Sequence, residues 1–161
     1  MMRNFKLFLA FLICFIFQST LLRNFSVFGV APNLILVLLI VFSFYFENYI
    51  GLILGVAFGM MQDIALGQVI GISALIYFAI GIGLQFVRVS VYRDNIIVMI
   101  LISAAGTSAY AFLYWAISAM LLEVSFNIIA VLKYISVAAI LNFICMVITV
   151  HFARKIKGFT A

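Results

Sequence analysis

Charge is scarce in this sequence. Of 161 residues, 8% are Asp, Glu, Lys or Arg, against about a quarter in an ordinary soluble domain. Hydrophobic residues make up 69% and the mean hydropathy is +1.40. A soluble fold of this size could not hide so much apolar surface. That excludes a soluble enzyme and a disordered chain. Cysteine occurs only at Cys14 and Cys145, each inside an apolar run. The pair excludes a disulfide scaffold and reads as small apolar packing. His151 is the sole histidine and no CxxC is present, which argues against a zinc or haem site. There is no Walker loop, no HExxH and no paired catalytic carboxylates. No enzyme and no cofactor are expected.

What is present is apolar sequence in long runs. Barrel strands alternate apolar and polar residues, and these runs do not. The expected fold is an all-α integral membrane protein with six transmembrane helices. One crossing needs about 20 apolar residues, so six leave no room for a soluble domain. The spans are expected at about 5–22, 30–46, 49–62, 69–87, 96–121 and 126–152, as one polytopic domain. No small-x-small cleavage site follows the first run, so it is expected to remain as a helix. Pro32 suits the first turn of the second helix, where its missing N–H costs nothing. Spans two and three are short, and a re-entrant hairpin is the alternative to a double crossing.

The net charge of +5 reports orientation here, not nucleic-acid binding. With six spans, both termini are cytoplasmic. Arg3, Lys6, Arg88, Arg93, Arg154, Lys155 and Lys157 then face the cytoplasm, seven of nine basic residues. Arg23 and Lys133 fall on the other side.

The most informative stretch is Gly51 to Gly71. Glycine occupies 51, 55, 59, 67 and 71, with Asp63 at the missing step. A spacing of four lines residues along one helical face. Gly51, Gly55 and Gly59 make two overlapping GxxxG units, which let another helix approach closely in lipid. They serve either internal packing or a partner subunit. Gly67 and Gly71 fall in or just past a turn. Asp63 is costly within a membrane. It is expected near the outer boundary, accepting hydrogen bonds from free N–H groups at the start of span four. Lys133 is expected to snorkel outward, or to pair with Glu123 or with Asp63 in the outer half of the bundle. Asn142 lies mid-span and can bond a neighbouring helix. Small residues from Ser103 to Ala109 suit packing on more than one face. Tyr110, Tyr114 and Trp115 read as packing or interfacial aromatics.

Ala31, Pro32, Asn33 and Leu34, followed by the glycine stretch, resemble the rod shape-determining protein MreD family. Its members share a Pro-Asp/Asn-Leu start, an apolar helix, then a glycine-rich helix leading into Asp and further glycines. The corresponding positions here are Pro32, Asn33, Leu34, Gly55, Gly59, Asp63, Gly67, Gly71, Ala74 and Leu75. One departure is Glu47–Asn48, where members often carry basic residues. The resemblance implies a multi-pass protein of the bacterial cytoplasmic (inner) membrane, non-catalytic, in the machinery that inserts peptidoglycan along the lateral wall. It implies binding to the bitopic protein MreC, and work with MreB, RodA and its partner transpeptidase. It also implies a fold similar to the S components of energy-coupling-factor vitamin transporters. A substrate-binding S component is therefore the competing reading. It would need an outward polar pocket and a small-residue pair in span one, which is instead rich in Phe. Membrane lipid is an expected contact, and homo-oligomerisation is left open.

Overall fold

The second helix decides the architecture. The computed structural model describes residues 2–22, 26, 28–45, 49–66, 69–90, 96–122 and 128–153. Its helices are α1 (Met2–Phe17), α2 (Leu34–Tyr45), α3 (Ile50–Leu66), α4 (Ile72–Ser90), α5 (Ile96–Leu122) and α6 (Ile128–Ala153). A helix that is apolar all round must be buried. In α2 every residue from Ile35 to Phe44 is buried, and α1, α3, α4, α5 and α6 all pack against it.

α2 has 12 residues, about 18 Å at 1.5 Å per residue. The hydrocarbon core of a bilayer is about 30 Å thick. The described part of the central helix is therefore shorter than that core. In contrast, α5 and α6 carry the apolar stretches Ile97–Leu121 and Ile128–Phe152, each of 25 residues and long enough to cross a membrane. The remaining apolar helical stretches are shorter.

Aromatic packing joins α1 to this centre. Phe58 of α3 stacks on Phe11 at a centroid distance of 5.5 Å, and Phe8 and Phe15 flank it at 5.7 and 6.0 Å. The exterior is apolar as well. Ile13, Ile53, Phe78, Leu101, Met120 and Ile140 are all exposed, on five different helices. Such a surface fits lipid contact.

Several boundaries differ from expectation. α2 starts at Leu34 rather than near Val30, so Pro32 lies before the helix and not in its first turn. Asn33, not the proline, ends the loop, because its side chain caps the helix. α3 runs on to Leu66, so Asp63 belongs to its last turn. α4 begins at Ile72, after a turn at Ile70–Gly71. Span one closes in a π-helical turn, Gln18–Leu22. Arg23, the Glu47–Asn48 turn, Gly67, residues 91–95, Glu123 and the basic residues after 153 lie outside the described residues.

Candidate functional site: a polar cleft over the start of α2

The first N–H groups of a helix have no partner within it. At the start of α2 these groups are buried among other helices, where an unpaired donor is costly. Asn33, the π turn after α1, and α6 supply what is missing. Asn33 is the N-cap: its Oδ1 accepts the Leu36 N–H at 3.0 Å, and its carbonyl accepts the Val37 N–H at 3.1 Å. The Ile35 N–H donates to Gln18 Oε1 at 3.2 Å. The π turn begins at Gln18, and this residue is 8% exposed. The Asn33 N–H donates to Asn142 Oδ1 at 2.8 Å, and Asn142 Nδ2 donates to Thr107 Oγ1 at 3.1 Å. Through this relay, α6 and α5 are tied to α2.

Asn33 Nδ2 donates to the Tyr77 hydroxyl at 2.7 Å. That phenol has one proton to give. Asn33 Oδ1 at 2.9 Å and Gln62 Oε1 at 3.0 Å are both within reach. Either oxygen can take it, since an amide oxygen has two lone pairs, and the phenol thereby ties the start of α2 to α3. Tyr77 is fully buried and stacks on Tyr110, which stacks on Tyr114, at 5.3 and 5.8 Å.

A second helix start lies beside the first. Gly71 precedes α4 with φ +99°, a conformation that side chains resist. It has no side chain with which to cap, so Asp63 of α3 does so. Asp63 Oδ2 accepts the Gly71 N–H at 3.0 Å and the Ser73 N–H at 2.8 Å. Ser73 Oγ is 3.0 Å from the Tyr110 hydroxyl. A carboxylate is poorly placed at the end of its own helix but well placed at the start of the next. Asp63 is 2% exposed and Lys133 is exposed, with no ion pair between them. The expected Asp63–Lys133 pair is therefore corrected: the carboxylate serves the α4 backbone.

The glycine face points into the protein. A Cβ on Gly51 would sit 2.7 Å from the Ser43 nitrogen and 2.8 Å from the Phe42 carbonyl carbon. On Gly55 it would collide with the Leu39 side chain, and on Gly59 it would reach the Tyr77 ring at 2.5 Å. α2 and α4 occupy this face, so no partner helix can share it. Gly59 also has a chemical consequence, because its missing side chain makes room for the ring that reaches Asn33.

These groups surround a cleft of about 300 Å³. It is lined by Gln18, Ala31, Pro32, Asn33, Gln62, Leu66, Tyr110 and Tyr134. A second cleft of about 310 Å³ adjoins it, sharing Tyr110 and Tyr134 and adding Ala111, Tyr114 and Trp115. Among the described residues, Gln18 Nε2, Gln62 Nε2 and the Tyr134 hydroxyl have no hydrogen-bond partner. Gln18 Oε1 accepts the Ile35 N–H and Gln62 Oε1 lies within reach of the Tyr77 hydroxyl, which leaves the two Nε2 groups as donors, while the Tyr134 hydroxyl can donate or accept. Beyond Tyr110, α5 continues to Leu122, about 18 Å further.

The sequence pointed to Asp63, Asn33 and Asn142 one at a time. It did not point to Gln18, Gln62, Tyr77 or Thr107 as their partners. Of the expected residues, the structure gathers Pro32, Asn33 and Asn142 around the cleft, with Asp63 beside it. Gly51 and Gly55 sit deeper, against the far half of α2. Gly71 is in the α4 turn, and Gly67 lies outside the described residues.

A family model for the rod shape-determining protein MreD matches residues 1–156. The chain belongs to this family, and so to rod shape determination at the membrane. No curated protein and no solved structure matches it. The vitamin-transporter alternative finds no support in these comparisons.

Proposed function

We propose that this member of the MreD family is a non-catalytic scaffold of the cell-elongation complex. It spans the bacterial inner membrane six times with both termini in the cytoplasm, as the basic residues require. It binds MreC, and through that contact supports lateral peptidoglycan synthesis by RodA and its transpeptidase under MreB.

The observation that carries the docking site is the donor-rich cleft over α2. In this topology it opens on the outer side, beside the projecting ends of α5 and α6. The glycine face is closed by internal packing, which removes the other obvious docking surface. Unpaired amide and phenol donors suit the carbonyl oxygens of a protein segment entering from outside. A short central helix is what creates the opening: α2 stops below the surface while its neighbours continue.

The test is recovery of partners from native membranes in mild detergent. The tagged wild-type chain is expected to bring down an MreC-like protein and wall-synthesis enzymes. Ala31→Trp, which fills the cleft, is expected to lose that protein at unchanged membrane level. Recovery of a coupling subunit with ATPases instead would sink the scaffold reading. Equal recovery with the variant would sink the cleft as the docking site.

A further inference from the structure

A second, chemically opposite cleft lies on the other half of the bundle. α1 and α6 both pack on α2 and leave between them a cavity of about 560 Å³. Its walls are Ala10 and Ile13 from α1 and Ile148 and Phe152 from α6, over a floor of Leu38 and Phe42 from α2. The one hydroxyl on the lining, Thr149 Oγ1, is already bonded to the Cys145 carbonyl at 2.8 Å. The remaining lining residue, Cys14 of α1, offers only a weakly polar thiol.

Exposed basic residues continue both helical walls of this groove. Lys6 is exposed and lies one turn before Ala10, on the face that carries Ala10 and Ile13. His151 is exposed beside Phe152. Neither α1 nor α6 contains an acidic residue. In sequence, Arg154, Lys155 and Lys157 follow. An apolar slot with an exposed cation further along its α1 wall complements a molecule with an apolar tail and an anionic head.

Size separates two occupants. A helix is about 10–12 Å across with its side chains, so this volume would hold roughly one turn of it. A single acyl chain is slender enough to lie along the slot. Ligand cavities of about 300–1,000 Å³ are ordinary.

We propose that the α1–α2–α6 groove is a binding site for an anionic phospholipid. One acyl chain lies against Leu38 and Phe42, and the headgroup phosphate rests on Lys6. The site is independent of the outer cleft and of any partner bound there.

Native mass spectrometry of the detergent-solubilised chain, offered equal phosphatidylglycerol and phosphatidylcholine, tests it. The wild type is expected to retain phosphatidylglycerol about fivefold over phosphatidylcholine, the preference one basic contact confers near an anionic head. Lys6→Gln is expected to bring the two lipids to parity while a lipid is still retained. Ala10→Trp, which fills the slot, is expected to lose the retained lipid. A photoreactive phosphatidylglycerol should label α1 and α6 around Ala10, Ile13 and Ile148. No headgroup preference in the wild type, a preference unchanged by Lys6→Gln, or labelling elsewhere would overturn the proposal. So would capture, through Cys14 in native membranes, of a transmembrane protein helix in place of lipid. Lys6→Gln is a surface change, so its result stands even if Ala10→Trp fails to fold.

Discussion

The two halves of α2 are held by different physics. At its start, side chains from α1, α3, α4 and α6 answer buried polar groups, atom by atom. From Leu39 to Ser43 shape dominates: Gly55 clears Leu39, Gly106 clears Ile40 and Gly51 clears the Phe42–Ser43 backbone, with one long hydrogen bond from Gln85 Nε2 to the Ser43 carbonyl at 3.4 Å. The polar end is directional and leaves donors over, so a cleft forms there. Where the shaped end meets the glycines of α3 and α5 it closes, and those faces leave nothing for a partner. The comparison teaches that a GxxxG face need not be an interface. The proposed binding surface is where the central helix runs out.

Four sets of substitutions sharpen or break this contrast. The largest effect is expected at Gly51→Ala, because the added Cβ meets backbone, which cannot rotate away. Overpacking of this kind costs about 1–3 kcal/mol or more. Thermal unfolding in detergent should fall well below that of Gly55→Ala, which meets only a Leu39 side chain. Equal losses would mean that shape is not what holds this end.

Next comes Asn33→Leu. It removes the cap on Leu36 and the bond to Tyr77, leaving buried groups unpaired at about 1–3 kcal/mol each. A double-mutant cycle with Tyr77→Phe should show the two losses to be strongly non-additive. Additive losses would dissolve the network into separate contacts.

Asp63→Ala should cost about 1–2 kcal/mol, the scale of a lost helix cap. Asp63→Asn keeps an acceptor oxygen and should recover most of that. Lys133→Gln should leave stability unchanged, because Lys133 does not face Asp63. Coupling between Asp63 and Lys133 in a cycle would contradict the geometry.

The smallest effect is expected at Ser103→Ala. Ser103 Oγ is buried without a hydrogen-bond partner among the described residues. Removing an unsatisfied hydroxyl is close to neutral or mildly stabilising. A clear loss in unfolding temperature would reveal a partner that the present geometry lacks.

Much of this was legible before the structure, for stated reasons. Six helices followed from apolar runs separated by polar breaks, because span length is set by the bilayer. Their ends were less legible. Pro32 fits either the first turn of a helix or the residue before its cap. The choice falls to Asn33, whose N–H is met by Asn142 109 positions away. No local pattern carries that distance. Asp63 was readable as an acceptor for the next helix, since a buried carboxylate needs donors and a glycine-rich turn offers them. Its expected tie to Lys133 failed because opposite charges in a sequence say nothing about facing directions. Tyr77 went unread because a tyrosine in an apolar run looks like packing. Only the space left by Gly59 turns it toward Asn33.

The central claim is that the polar end of α2 is an aqueous, outward-facing cleft that a partner covers. Ala31→Cys tests it most directly, in a chain whose Cys14 and Cys145 are replaced by alanine. Intact cells lacking the MreC-like partner would be treated with a membrane-impermeant maleimide. The account predicts rapid labelling at position 31, and protection when the partner is restored. Absence of labelling without the partner, or labelling that the partner leaves unchanged, would contradict it.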